Sequence, residues 1–124
     1  TGMNKSGRAV KDFCINQGLL LSNVHVIVDD IDLPLGKLRI RPKGGDGCHR
    51  GMESIIYQNR DNNFPRIRFG IAVGSKLRPS EQYVLKDFKK SDQNLADEMI
   101  VRAADAAELI FEDGLNKAMN KYNA

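Results

Sequence analysis

The stretch VHVIVDDIDLPLGKLRIRPKGGDGCHRG, residues 24–51, decides the fold. Its first five residues, 24–28, are almost wholly apolar and β-branched, and they run directly into the acidic DDID. An apolar run of this length is too short for a helix, so it predicts a buried strand with a polar exit. Residues 37–41, KLRIR, alternate strictly and predict a second strand with Leu38 and Ile40 facing the core.

The stretch RIRFGIAV, residues 66–73, repeats this alternation and predicts a third strand. Its apolar side chains Ile67, Phe69 and Ile71 are predicted to point inward. The opposite faces of these two alternating strands carry cations, which are Lys37, Arg39, Arg41, Arg66 and Arg68. Cations in such an array suit a partner rich in phosphates, although a solvated face with no partner has the same pattern.

Apolar residues at three-and-four spacing predict helices between and after these strands. They are expected at residues 7–17, with Gly18 as the stop, at 51–58, at 91–114, with Gly114 as the stop, and from Leu115 to Tyr122. Helices interleaved with strands predict an α/β layer architecture. A chain of 124 residues suits one domain covering residues 1–124.

The composition is that of an ordinary globular protein. Hydrophobic residues make up 41% and charged residues 28%, and Lys plus Arg exceed Asp plus Glu by 19 to 16. No apolar run approaches the roughly 18 residues that a membrane-spanning helix needs. Cys14 and Cys48 fit neither a zinc-ligand spacing nor a disulfide framework. We therefore expect a soluble, cytoplasmic protein.

Two polar side chains follow the predicted strands where α/β proteins gather their functional groups. Asp29 directly follows the first strand, and His49 lies in the glycine-rich KGGDGCHRG beyond the second. A histidine with a carboxylate can transfer a proton or position a water. A turn or cap role for Asp29 and a surface position for His49 are the structural alternatives. A metal site of Asp29, Asp46, Cys48 and His49 has little support, because Asp-x-Cys-His is no established ligand pattern.

Four stretches resemble consecutive signatures of the bacterial-type peptidyl-tRNA hydrolases. They are TGMNKSGRAV at 1–10, VDDIDLPLGKLRIRPKGGDGCHRGMESII at 28–56, FPRIRFGIAV at 64–73 and GLNKAMNKYN at 114–123. The resemblance implies a single domain with a mixed β-sheet flanked by helices. It also implies hydrolysis of the ester between peptide and tRNA, a reaction with no cofactor and no metal. Peptidyl-tRNA is the expected partner, with no membrane contact and no obligate protein partner, and a monomer is expected if the domain is complete.

The resemblance also implies roles for individual residues. Asn4 corresponds to the active-site asparagine of the M-N-x-S-G motif, and Asp29 to the aspartate that orients the catalytic histidine. The positions expected to contact the peptidyl end of the substrate are Met3, Gly47, His49 and Arg50. Arg41 and Arg68 correspond to the family's basic pair that binds phosphate at the acceptor end. Arg39, an outward cation of the same predicted strand as Arg41, is also expected to bind tRNA phosphate.

The chain departs from the family pattern at two places. Nothing matches the family's N-terminal G-L-G-N-P-G and R-H-N-x-G motifs, which include its catalytic histidine, so we expect a fragment or a truncated relative without the N-terminal strands. The histidines of this chain are His25, in the first predicted strand, and His49. Arg50 stands where the family usually has asparagine, and it can donate hydrogen bonds but cannot accept them. A non-catalytic RNA-binding relative is therefore the alternative function.

Overall fold

The computed structural model of the protein describes residues 5–47, 49–72 and 90–123. Within these ranges the chain forms four α-helices and a mixed sheet of three strands, which confirms the predicted α/β class. The helices are α1 (Ser6–Gln17), α2 (Arg50–Asn59), α3 (Lys90–Asp113) and α4 (Leu115–Tyr122). The strands are β1 (Val26–Pro34), β2 (Leu38–Arg41) and β3 (Arg66–Ala72).

The described residues of Thr1–Val26 and Arg41–Arg66 form one compact unit, in which α1 packs against α2. The two helices meet at Gly7, where a Cβ would overlap the backbone carbonyl of Ser54. The Gly7 N–H donates to Ser54 Oγ at 2.9 Å, and Asn59 Nδ2 donates to the Gly7 carbonyl at 3.4 Å. Glycine at position 7 therefore sets how closely the two helices approach.

The described residues of Ile27–Ile40 and Ile67–Ala124 form a second unit that holds most of the sheet, in the strand order β1-β3-β2. The Val26 N–H donates to the Pro65 carbonyl at 3.0 Å, and the Leu35 N–H donates to the Ala72 carbonyl at 2.9 Å. Because the two ends of β1 pair with the corresponding ends of β3, these strands run parallel. In a mixed sheet of this order, β2 is then antiparallel to β3.

The link between β1 and β2 passes across β3 at Gly70. A Cβ at Gly70 would overlap the backbone carbonyls of Leu33 and Pro34, and the Gly70 N–H donates to the Lys37 carbonyl at 2.9 Å. Only glycine fits where one backbone passes this close to another. Gly70 therefore permits the crossing that separates β1 from β2.

The core of the second unit lies between the sheet and the helices α3 and α4. Its buried side chains are Leu38, Ile40, Ile67, Met99, Ala103, Ala106, Ile110 and Ala118. The polar end of α4 is tied to the edge strand β2, because Asn123 Oδ1 accepts from the Ile40 N–H at 2.7 Å and Asn123 Nδ2 donates to the Ile40 carbonyl at 3.0 Å. One side-chain amide thus satisfies both backbone groups of an edge residue, as a neighbouring strand would.

The sequence predicted the helices well and the first strand poorly. The stops at Gly18 and Gly114 are confirmed, and so are the inward positions of Leu38 and Ile40. The strand predicted at 24–28 is instead β1, Val26–Pro34, and its Ile27 is 44% exposed. His25 precedes this strand rather than lying in it. The acidic residues do not end the strand, because the chain turns only after Pro34.

Candidate functional site

The glycine loop, residues 43–49, leads from β2 to α2 and contains Gly47 and His49 from the predicted site. Gly44, with φ +153°, and Gly47, with φ +58°, have backbone conformations that favour glycine. The His49 N–H donates to the Asp46 carbonyl at 3.0 Å, so the last part of the loop forms a turn. Backbone geometry therefore favours glycine at position 47 whether or not a substrate approaches it.

His49 caps the N-terminus of α2. Its Nδ1 accepts from the Met52 N–H at 3.2 Å, and its backbone carbonyl accepts from the Glu53 N–H at 2.9 Å. An imidazole nitrogen that accepts a hydrogen bond carries no proton, so the neutral ring has its proton on Nε2. In this arrangement Nδ1 of His49 serves as the cap of α2.

Asp29 lies inside β1, half-buried, rather than in a loop beyond the strand. This corrects the predicted position, because the strand continues for five residues past Asp29 to Pro34. The next residue, Asp30, forms an ion pair with Arg68 of β3, with 3.6 Å between Oδ2 and Nη1. The two side chains are 15% and 21% exposed, so the pair is partly shielded from water. A strand can carry adjacent carboxylates when its neighbour supplies an arginine.

Two of the predicted phosphate-binding arginines are neighbours on the sheet. The bond from the Gly70 N–H to the Lys37 carbonyl sets the register between β2 and β3. Because these strands are antiparallel, this register brings Arg39 opposite Arg68. Arg39 is half-buried, and its Nε is buried with no hydrogen-bond partner among the described residues. With Asp30, the group has two positive charges and one negative charge.

The remaining predicted site residues are dispersed along the chain. Arg41 is the exposed last residue of β2, and Arg50 is the exposed first residue of α2. His25, the chain's other histidine, is exposed. Met3 and Asn4 lie outside the described residues.

The metal hypothesis gains no support from the residues with a described placement. Over those residues no group of three or more His, Cys, Asp or Glu side chains could hold a metal ion. Cys48, which the hypothesis also uses, lies outside them.

Sequence reasoning missed one residue of this region and predicted its burial wrongly. Arg66, predicted to point outward, is fully buried, and its guanidinium contacts the carbonyls of Gly44 and Gly45 in the glycine loop. Arg66 and Arg68 have the same place in the alternation, so the strand pattern could not distinguish them. The glycines themselves were the available signal, since a flexible loop with a defined conformation needs a tether from elsewhere.

The family model for peptidyl-tRNA hydrolase matches residues 1–124, the whole length of the chain. The chain belongs to the peptidyl-tRNA hydrolase family. A peptidyl-tRNA hydrolase of Thermoanaerobacter sp. is 46% identical over 123 residues, which are 99% of this chain and 66% of that protein. One of Desulforudis audaxviator is 42% identical over 124 residues, covering 62% of its length. The chain thus spans a little under two thirds of these peptidyl-tRNA hydrolases.

A solved structure agrees with this family assignment. The crystal structure of peptidyl-tRNA hydrolase from Acinetobacter baumannii superposes on the whole chain with a TM-score of 0.88 and 29% sequence identity, and the match covers 63% of that structure. In the described part of this family member, no helix is both long and apolar enough to cross a membrane.

Proposed function

We propose that the protein hydrolyses the ester bond between a peptide and the 3′ end of tRNA. The family assignment supports this proposal, and so does the chemistry of the sheet. A hydrolase that acts on many different tRNAs needs contacts to phosphates, which all tRNAs share, rather than to bases. The predicted cytoplasmic location is part of the proposal, because translation supplies the substrate there.

The observation that carries the proposal is the pair Arg39 and Arg68, which face each other across β2 and β3. Like charges directly opposite each other on a sheet destabilise it, and the buried Nε of Arg39 has no hydrogen-bond partner among the described residues. A phosphate would place negative charge beside both guanidinium groups and accept hydrogen bonds from them. The Arg68–Asp30 distance of 3.6 Å is longer than a charge-assisted hydrogen bond. Arg41 is the proposed third phosphate contact.

The proposed chemistry is attack of a water on the ester carbonyl. It needs a base in the correct tautomer and donors for the developing oxyanion. Asp29 would orient the base, and Asn4 would donate a hydrogen bond to the substrate or hold the water. His49 suits substrate binding through Nε2–H, because its Nδ1 already accepts the Met52 N–H. Met3, Gly47 and Arg50 would line the part of the cleft that receives the peptidyl end.

The decisive experiment is single-turnover hydrolysis of a peptidyl-tRNA by this chain and, in parallel, by the full-length product of its gene. Asp29→Asn should lower the rate at least about 100-fold and leave tRNA affinity largely unchanged. Asp32→Asn, which changes an exposed carboxylate of the same strand, is the matched control. An unchanged rate in Asp29→Asn would refute the catalytic role of Asp29.

A non-catalytic RNA-binding protein is the second candidate, and the His49 geometry favours it. His25 is exposed, and His49 uses Nδ1 to cap α2; both observations support the RNA-binding candidate. This candidate predicts salt-sensitive binding of tRNA without a peptide, and no hydrolysis by either the chain or the full-length product. Hydrolysis by either protein would exclude it.

A further inference from the structure

Arg66, the first residue of β3, is fully buried, with 0% of its surface exposed. A guanidinium keeps its charge at every pH at which a protein is folded, and arginines are almost never fully buried unless their donors are satisfied. The function proposed above does not use this residue. The groups that accept hydrogen bonds from this buried guanidinium therefore indicate what the residue does.

The guanidinium of Arg66 is surrounded by backbone carbonyls. Nη1 donates to Gly44 O at 2.9 Å and to Gly45 O at 2.7 Å. Nη2 donates to Asn62 O at 2.9 Å and Phe64 O at 3.2 Å, and Nε donates to Phe64 O at 3.3 Å. The guanidinium carbon also lies 4.4 Å from the centroid of the Phe64 ring, within range of a cation–π interaction. These contacts hold the planar group from its edge and from its face.

The two shortest of these bonds reach the glycine loop. Consecutive glycines lose more conformational entropy on ordering than other residues, so a defined loop conformation needs bonds from outside the loop. Asn62 helps from the same side, because its carbonyl accepts from both Arg66 Nη2 and the Gly44 N–H, the latter at 3.4 Å. The loop is thus tied to the segment before β3 through one buried side chain.

These bonds also set the direction of the loop's amides. In a planar trans peptide the N–H points opposite to the C=O. With the carbonyls of Gly44 and Gly45 aimed at Arg66, the N–H groups of Gly45 and Asp46 are directed away from it. Because Arg66 holds the peptides of Gly44 and Gly45, the turn from Asp46 to His49 begins from a backbone segment of defined orientation.

We infer that Arg66 is a positioning residue: it holds the glycine loop in the one conformation that presents Gly47 and His49 to the peptidyl end of the substrate. The consequence for catalysis rests on the function proposed above. Lysine cannot replace arginine here, because an ammonium has three donors at one point and cannot reach four carbonyls as a planar fork does. Arg66→Lys therefore keeps the charge and removes the geometry.

The first test needs no activity and uses hydrogen exchange of the full-length product. In Arg66→Lys, loop amides such as Gly44 and His49 should exchange at least about tenfold faster, and the Gly7 amide, bonded to Ser54 Oγ, should keep its rate. Arg8→Lys, on an exposed arginine of α1, is the control and should change neither. Unchanged loop exchange would overturn the inference, and so would equal acceleration at Gly7, which would indicate general destabilisation.

The second test is a double-mutant cycle on single-turnover hydrolysis with Arg66→Lys and His49→Ala. If Arg66 acts through the loop, Arg66→Lys should lower the rate about tenfold in the wild-type background and much less in the His49→Ala background. Additive effects would overturn the inference. If the wild-type protein does not hydrolyse the substrate, the proposed function fails, and the exchange experiment alone decides whether Arg66 orders the loop.

Discussion

Arg66 and Arg68 lie two residues apart on β3, yet their surroundings differ in every respect that matters for arginine. Arg66 is fully buried, and its three nitrogens donate to the carbonyls of Gly44, Gly45, Asn62 and Phe64. Arg68 is 21% exposed and pairs with the carboxylate of Asp30 at 3.6 Å. The first arginine is bonded to the backbone around it, and the second is paired with a carboxylate of the neighbouring strand.

The role of an arginine thus depends on the groups that accept its hydrogen bonds and not on the residue type alone. Backbone carbonyls cannot move away without breaking the fold, so a guanidinium that they surround becomes part of the architecture. A carboxylate on a neighbouring strand can share its arginine with a phosphate. The same strand therefore contributes one cation bonded to backbone carbonyls and one paired with a carboxylate, and we propose that the second also binds phosphate.

The largest expected effect is on stability at Arg66. Arg66→Met should lower the free energy of unfolding by roughly 4 kcal/mol, because several buried carbonyls lose their donors. Arg68→Met should cost about 1 kcal/mol or less, as expected for a partly exposed ion pair. Urea unfolding of the two variants measures both values. Equal losses would mean that the contrast between the two arginines is wrong.

A somewhat smaller loss of unfolding free energy is expected at the two glycines where backbone segments are in close contact, one in each compact unit. Gly7→Ala in the first unit and Gly70→Ala in the second should each cost about 3 kcal/mol, because the new methyl group overlaps a carbonyl. Gly45→Ala is the control, since a Cβ at this position meets nothing within 4 Å. Thermal unfolding of the three variants tests the prediction, which a neutral Gly70→Ala would contradict.

An intermediate effect separates the two roles of His49. His49→Ala should destabilise the protein by about 1 kcal/mol through loss of the helix cap, and His49→Asn should recover most of this loss. If Nε2 also donates to the substrate, both variants should hydrolyse peptidyl-tRNA more slowly than wild type. Denaturant unfolding and single-turnover rates are measured on the same samples. Full activity in His49→Asn would limit His49 to its capping role.

The smallest expected effect concerns tRNA affinity. Arg39→Gln and Arg68→Gln should each weaken tRNA binding about threefold. Each should also reduce, by about 1, the magnitude of the slope of the logarithm of the association constant against the logarithm of the salt concentration. Lys117→Gln, an exposed cation of α4, is the matched control and should leave the slope unchanged. Binding titrations at several salt concentrations give both numbers. If the slopes stay at the wild-type value, Arg39 and Arg68 do not contact tRNA phosphates.

Helices and strands of this fold could be predicted wherever the local spacing of apolar residues is enough to specify them. The helix stops at Gly18 and Gly114 and the inward positions of Leu38 and Ile40 follow from short-range pattern alone. The end of β1 could not be predicted, because Asp29 and Asp30 are poor strand residues when considered alone. Asp30 is accommodated in the strand by Arg68, which is 38 residues further along the chain.

Some features of the candidate site could likewise be predicted from local sequence, and others depend on distant contacts. The sequence by itself determined the family, the alternating cations and the presence of a glycine loop with one histidine. The burial of Arg66, the position of Arg39 opposite Arg68 and the capping of α2 by His49 Nδ1 could be read only from the folded structure. The physical reason is that alternation specifies which residues share a face of a strand, whereas burial and hydrogen bonding depend on which distant segment packs there. For Arg66 that segment is the glycine loop, 21 and 22 residues earlier in the chain.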